Sequence, residues 1–118
     1  MNRRLMEDNI GKAREVLKKA FPKDTADKML RSKMSAFGAV VLMSGPLPAI
    51  AYYAANEEKI IELLAAMYGT TEKELFDKVR ADLGRNRIAA VEKLLAYSVS
   101  LKMAFNLLAL TETATGEA

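Results

Sequence analysis

Between Met34 and Ala55 the chain reads MSAFGAVVLMSGPLPAIAYYAA without a charged side chain, while Lys, Arg, Asp and Glu crowd the flanking segments. A charge-free stretch of that length is either a membrane span or the centre of a protein core. Gly45-Pro46-Leu47-Pro48 in its middle decides between the two. The prolines remove two backbone N–H donors and disfavour helical geometry in the residues before them, so the run splits into two short apolar helices. Neither half approaches the roughly 20 residues that crossing a bilayer requires. The expectation is a buried, proline-interrupted helical hairpin at the centre of a soluble domain, with no membrane association.

A chain of 118 residues suits one domain. Residues 1–110 read as a single helical domain. The tail 111–118, Thr-Glu-Thr-Ala-Thr-Gly-Glu-Ala, has no apolar face and is expected to fray. The chain has no Cys and no His. Disulfides, thiolate sites, the commonest metal ligand and the usual nucleophilic triads are thereby excluded. No glycine-rich phosphate loop is present. The carboxylate pairs Glu57-Glu58 and Glu72/Glu74 fall in first helical turns, where acids complement the helix dipole. No enzyme activity, cofactor, metal or small-molecule substrate is expected. Arg3 and Arg4 are followed by Glu7 and Asp8 where a signal peptide needs an apolar segment, so the expected location is the cytoplasm.

Helical periodicity accounts for the rest. A first helix from about Leu5 to Phe21 carries Met6, Ile10, Ala13, Val16, Leu17, Ala20 and Phe21 on one side. Phe21-Pro22 stops it, and Asp24 or Thr25 is placed to cap a second helix reaching Ser44, with Asp24/Lys28 and Asp27/Arg31 as ion pairs. After Lys33 that helix is apolar all round and must run between other elements or into a partner. A third helix covers about Pro48 to Ala55 and a fourth Glu57 to Tyr68, ended by Gly69. Thr71 and Glu74 fit a capping box for a fifth, with Leu75, Phe76, Val79 and Leu83 inward and Gly84 as its end. The last and longest, about Arg87 to Leu110, has Ile88, Val91, Leu94, Leu95, Leu101, Phe105 and Leu108 as a central rod. No segment alternates with period two, so no strand is expected. The fold class is all-α: a compact bundle of five to six helices around the apolar hairpin.

The formal charge is +3, but residues 1–38 carry ten basic and five acidic side chains. Such asymmetry suits a polyanion or an acidic partner surface, or a solvated helix face. On the first helix, Glu15 is matched to Lys19 and Asp8 to Lys12, whereas Arg14 and Lys18 lack an acid at that spacing and stand four apart. Gly84-Arg85-Asn86-Arg87 sets two arginines around a good helix cap. At the positive end of the last helix they make sense against a visiting phosphate, unless Asp82 neutralises them. Lys102 shares a helix face with Ser98 and Asn106. It either snorkels over the core or belongs to a polar seam facing a ligand or subunit.

Two segments resemble a known family. Ser32 to Asn56, SKMSAFGAVVLMSGPLPAIAYYAAN, resembles the central helix-break-helix of the small subunit of the type III-B (Cmr) CRISPR RNA-guided effector complex. Arg87 to Leu107, RIAAVEKLLAYSVSLKMAFNL, is similar to that family's closing helix through Glu92, Leu94-Leu95, Tyr97, Lys102 and Phe105. Pro46 and Ser100-Leu101 depart from the family pattern. The resemblance implies a non-catalytic, all-α subunit that packs beside backbone subunits and copies of itself, in an antiviral assembly holding guide RNA paired to target RNA. Since base pairing reads the sequence, such a subunit would hold backbone phosphates. The RNA-binding candidates are Arg14, Lys18, Arg85, Arg87 and Lys102. The other reading is a helical adaptor that docks a protein partner through its apolar hairpin and touches no nucleic acid.

Overall fold

Breaks in the helical backbone ladder set the architecture, and most coincide with residues whose chemistry requires a break. The computed structural model describes residues 3–23 and 25–111, with side chains for residues 5–23 and 25–110. In chain order the elements are α1 (Arg3–Ala20), β1 (Thr25–Asp27), α2 (Lys28–Ser44), α3 (Pro46–Asn56), α4 (Glu58–Tyr68), α5 (Glu72–Arg85), α6 (Arg87–Phe105) and β2 (Ala109–Thr111). The protein is an all-α bundle.

The apolar hairpin forms at the expected place. Gly45 closes α2 with its N–H on the Val41 carbonyl at 2.8 Å and adopts φ 95°, ψ 160°. Pro46 then occupies the first turn of α3, where a missing N–H is harmless. Gly69 stops α4 in the left-handed conformation, φ 69°, with its own and the Thr70 N–H turned back onto the last carbonyls. Asn86 separates α5 from α6, and its Oδ1 accepts from the Ala89 N–H at 3.0 Å.

Other boundaries differ from expectation. α2 starts three residues late, because Asp27 caps it by accepting from the Met29 N–H at 2.8 Å. Asp27 is thereby committed to the cap, and the expected partner Arg31 instead donates from Nε to Asn106 Oδ1 at 2.8 Å. Asp24 lies outside the described residues. The Thr71 hydroxyl donates to the Glu74 carboxylate at 3.0 Å and does not cap a backbone N–H, so the capping box does not close. α5 continues through Gly84 to Arg85.

The absence of strands is corrected too. α6 ends at Phe105, and Ala109–Thr111 pairs in parallel with Thr25–Asp27, in the register Thr25 with Ala109, Ala26 with Leu110 and Asp27 with Thr111. Three residues are too few to show an alternating pattern, and the partner strands are remote in sequence, so nothing local signals the pairing. Thr111 thus belongs to β2, and the tail expected to fray lies, from 112 onward, outside the described residues.

α6 is the central rod, packed against α1, α2 and α5. α2 runs antiparallel to it. Arg31 meets Asn106, Gly38 faces Leu95 and Ser98, and the α2 end shares a hollow with Arg87. One continuous core includes Leu17, Met34, Phe37, Ile50, Ile60, Leu64, Leu75, Leu94 and Phe105. Phe37 presents its face or edge to Tyr53 at 5.0 Å and 87°, tying α2 to α3. Lys33 of α2 reaches Glu57, the residue between α3 and α4, at 2.8 Å. Several expected core residues lie outside: Ile88 is 74% exposed, Met29 48% and Phe76 37%. Among the described helices none is long and apolar enough to cross a membrane.

Candidate nucleic-acid interface

The fold treats the five candidate cations differently. Arg87 is the first residue of α6, exposed, and without an ion pair among the described residues. The N–H groups of Arg87 and Ile88 precede the first intrahelical bond, so Arg87 belongs to the turn where the positive end of the helix dipole lies. Arg87 also borders a hollow of about 230 Å³ built from the hairpin bend, Ser44 to Pro48, and from Leu83.

Arg85 stands in a different setting. Its Nη2 lies 3.3 Å from Asp82 Oδ1, so the carboxylate that the sequence offered as an alternative does take it. Arg85 also sits in the last turn of α5, where the dipole favours a cation; only Arg87 stands against one. Asp82 is shared, its other oxygen lying 3.7 Å from Lys93 Nζ. Lys18, expected without an acid, is 3.8 Å from Glu15 in an exposed pair of small energetic consequence. Glu15 turns three residues on and not four, as helix geometry also permits.

Arg14 and Lys102 are exposed and carry no ion pair among the described residues. The polar seam proposed around Lys102 does not form. Ser98 is 3% exposed and turned toward Gly38, Asn106 serves Arg31, and Lys102 points to solvent. Fifteen residues of α6 separate Arg87 from Lys102, about 22 Å along the axis. These two cations are spread along a rod and do not share a pocket.

A second polar group, missed in the sequence, flanks α6. Lys12 Nζ lies 5.2 Å from the centroid of the Tyr97 ring, in place of the expected pair with Asp8. Lys93 Nζ lies 4.9 Å from the Tyr68 ring, and the two tyrosines meet edge to face at 4.9 Å. The i,i+4 spacing of Lys93 and Tyr97 was visible; the approach of Lys12 and Asp82 was not. The Tyr68 hydroxyl is buried without a hydrogen-bond partner among the described residues. Burial, then Asp82 and Tyr97, pushes its pKa well above the ordinary value.

Two outcomes follow for Tyr68→Phe. Deleting an unsatisfied buried hydroxyl should leave stability unchanged or raise it by about 1 kcal/mol. The folded state holds this proton more tightly than the unfolded chain. The native protein should therefore lose stability as pH rises above about 10, and the variant should lose less. Urea titrations at pH 8 and pH 10.5 test both; equal pH dependence would exclude the second.

Compared with known proteins, the chain matches no family model, no curated protein and no solved structure.

Proposed function

We propose that this chain is a non-catalytic small subunit of a cytoplasmic RNA-guided effector assembly of the type III-B (Cmr) kind, contacting backbone phosphates of guide and target RNA. The carrying observation is Arg87, an unpaired guanidinium at the positive end of the central helix, beside the bend of the apolar hairpin. Phosphate oxygens suit both a guanidinium and the free N–H groups of the same helical turn. Lys102 and Arg14 supply further unpaired charge, and Arg85 and Lys18 contribute less because acids already accompany them. The two segments that resemble the Cmr small subunit form α2–α3 and α6, which pack on one another.

The adaptor reading is favoured by a different observation. Leu42, Met43 and Ile88 are 71%, 87% and 74% exposed at neighbouring ends of α2 and α6. Exposed apolar side chains grouped in this way mark protein-docking surfaces. Such a surface also suits a subunit held between neighbours, so the two readings part on nucleic acid alone.

Salt dependence separates them. In the assembled complex, RNA affinity should fall steeply with salt, and Arg87→Ala should reduce the log–log slope by about 0.7–0.9. Arg85→Ala should change it less, since Asp82 offsets that charge. An unchanged slope for Arg87→Ala would remove Arg87 as a phosphate contact. Assembly that tolerates Arg87→Ala but fails with Leu42→Ser/Met43→Ser, with no RNA affinity at any salt, would establish the adaptor.

A further inference from the structure

We propose that the outward strip of α6 docks a second copy of this chain, the two α6 helices packing antiparallel about a twofold axis at the level of residue 97. α2 meets α6 through Leu95 and Ser98, which lie against Gly38. α1 meets it through Tyr97 and Ser100, which lie against Lys12 and Met6. Between these two contacts one strip of α6 is left uncovered. It carries Ile88, Glu92, Leu95, Val99, Lys102 and the capping residue Asn106, none of them buried, at spacings that alternate four and three. That alternation is the seam along which one helix packs on another.

The charges on the strip identify the occupant. Glu92 and Lys102 are exposed and carry no ion pair among the described residues. They stand ten residues apart on one helix, about 15 Å, and cannot meet each other. Each is five residues from Tyr97, Leu95 and Val99 are each two from it, and Ile88 and Asn106 are each nine from it. A copy turned about that level therefore sets Glu92 against the partner's Lys102 twice over, with Leu95 on the partner's Val99 in the centre. A surface complementary to itself in this way is what a twofold contact requires. The parallel arrangement would set Glu92 on Glu92 and Lys102 on Lys102, which like charge opposes.

The ends of the strip add apolar surface in the same sense. Leu42 and Ile88, 71% and 74% exposed, stand at the start of α6, and Met103 and Leu107, 41% and 57% exposed, stand at its end. The antiparallel arrangement brings the second pair of one copy to the first pair of the other. From Ile88 to Asn106 the strip runs about 27 Å and is one helix wide, at the small end of specific interfaces, so the dimer is expected to dissociate at micromolar concentrations. A nucleic-acid strand would meet Glu92 and an apolar centre. Arg87 borders the hairpin hollow and not this strip, so the dimer and the phosphate contact proposed for Arg87 stand or fall separately. In the dimer Lys102 is committed to the partner's Glu92, and it reaches a phosphate only from the monomer.

Sedimentation of the purified full chain over a range of concentrations tests the contact. A reversible monomer–dimer equilibrium is expected, and Glu92→Lys or Lys102→Glu should each weaken the dimer by about tenfold or more, because both symmetry-related pairs become repulsive. The double variant Glu92→Lys/Lys102→Glu should recover dimerisation, since each pair is then restored with its signs exchanged. Both positions are exposed, so the fold should be kept, as an unchanged melting temperature at low concentration verifies. The native chain has no cysteine, which allows the orientation to be read directly. On oxidation a mixture of Glu92→Cys and Lys102→Cys should give a disulfide-linked dimer, and neither variant alone should do so. A chain that stays monomeric at millimolar concentration overturns the proposal and leaves the strip to a different protein. So does dimerisation unaffected by the single reversals, a double reversal that does not recover it, or crosslinking of each cysteine variant by itself, which would mean a parallel pair.

Discussion

Replacing Phe37 with alanine is expected to destabilise the protein by about 3–5 kcal/mol, the largest effect of any single substitution considered. Phe37 is fully buried in the middle of α2, and its ring meets Tyr53 of α3 edge to face at 5.0 Å. Next to it, Gly38 lies close to Leu95 and Ser98 of α6, so the ring sits at the junction of three helices. Truncation loses the transfer energy of the ring and the aromatic contact, and it leaves a void that packed helices close only partly. A domain of this size is stable by about 5–15 kcal/mol, so the loss is a large share of the total. Thermal unfolding should move down by about 10–20 °C. Phe37→Leu, which keeps most of the volume, should lose far less. Urea denaturation measures both, and a cost below about 1 kcal/mol for Phe37→Ala would mean that α2 and α3 are not locked through this ring.

Gly45→Ala is expected to cost about 1–3 kcal/mol for a reason unrelated to packing. At φ 95°, ψ 160° the backbone of Gly45 is in a region that L residues rarely enter. Space is not the constraint, since an added Cβ would find its nearest neighbour, Pro48 Cδ, at 3.7 Å. The bend is therefore possible because residue 45 lacks a side chain. Asparagine should not rescue it, because asparagine tolerates the left-handed helical region and not this one. Gly69 makes the contrast. At φ 69°, ψ 34° it lies in that left-handed region, so Gly69→Asn should be nearly neutral and Gly69→Ala should cost about 1 kcal/mol. Because the Gly45 bend forms one wall of the hollow beside Arg87, the same variant should also disturb any anion contact there. A Gly45→Ala protein with native stability would show that the break can form in another backbone conformation.

The positions of these breaks were legible because each rests on one or two neighbouring residues. Gly45-Pro46, Gly69 and Asn86 act on their own turns, and the buried stripes Met34-Phe37-Val41 and Leu75-Val79 follow from helical periodicity. The candidate site was legible to a lesser extent. Arg87 could be placed at a helix start from Asn86, but the partner of Arg85 depended on side-chain reach. Lys18 was read as lacking an acid because Glu15 was assigned to Lys19 four residues on, whereas an acid three residues away is also within range.

Local chemistry in the chain thus determined that it forms helices, roughly where they start and stop, and that its charge-free segment must fold back on itself. Tertiary packing decided which apolar residues stay outside, as with Leu42, Met43 and Ile88, and which charges find an acid, as Arg85 and Lys93 share Asp82. It also decided that the end of α6 unwinds so that Ala109–Thr111 can pair with Thr25–Asp27. The division has one physical cause. A cap or a turn is satisfied within about four residues of itself, whereas burial, ion pairing across helices and strand pairing depend on groups that meet only after the chain has folded.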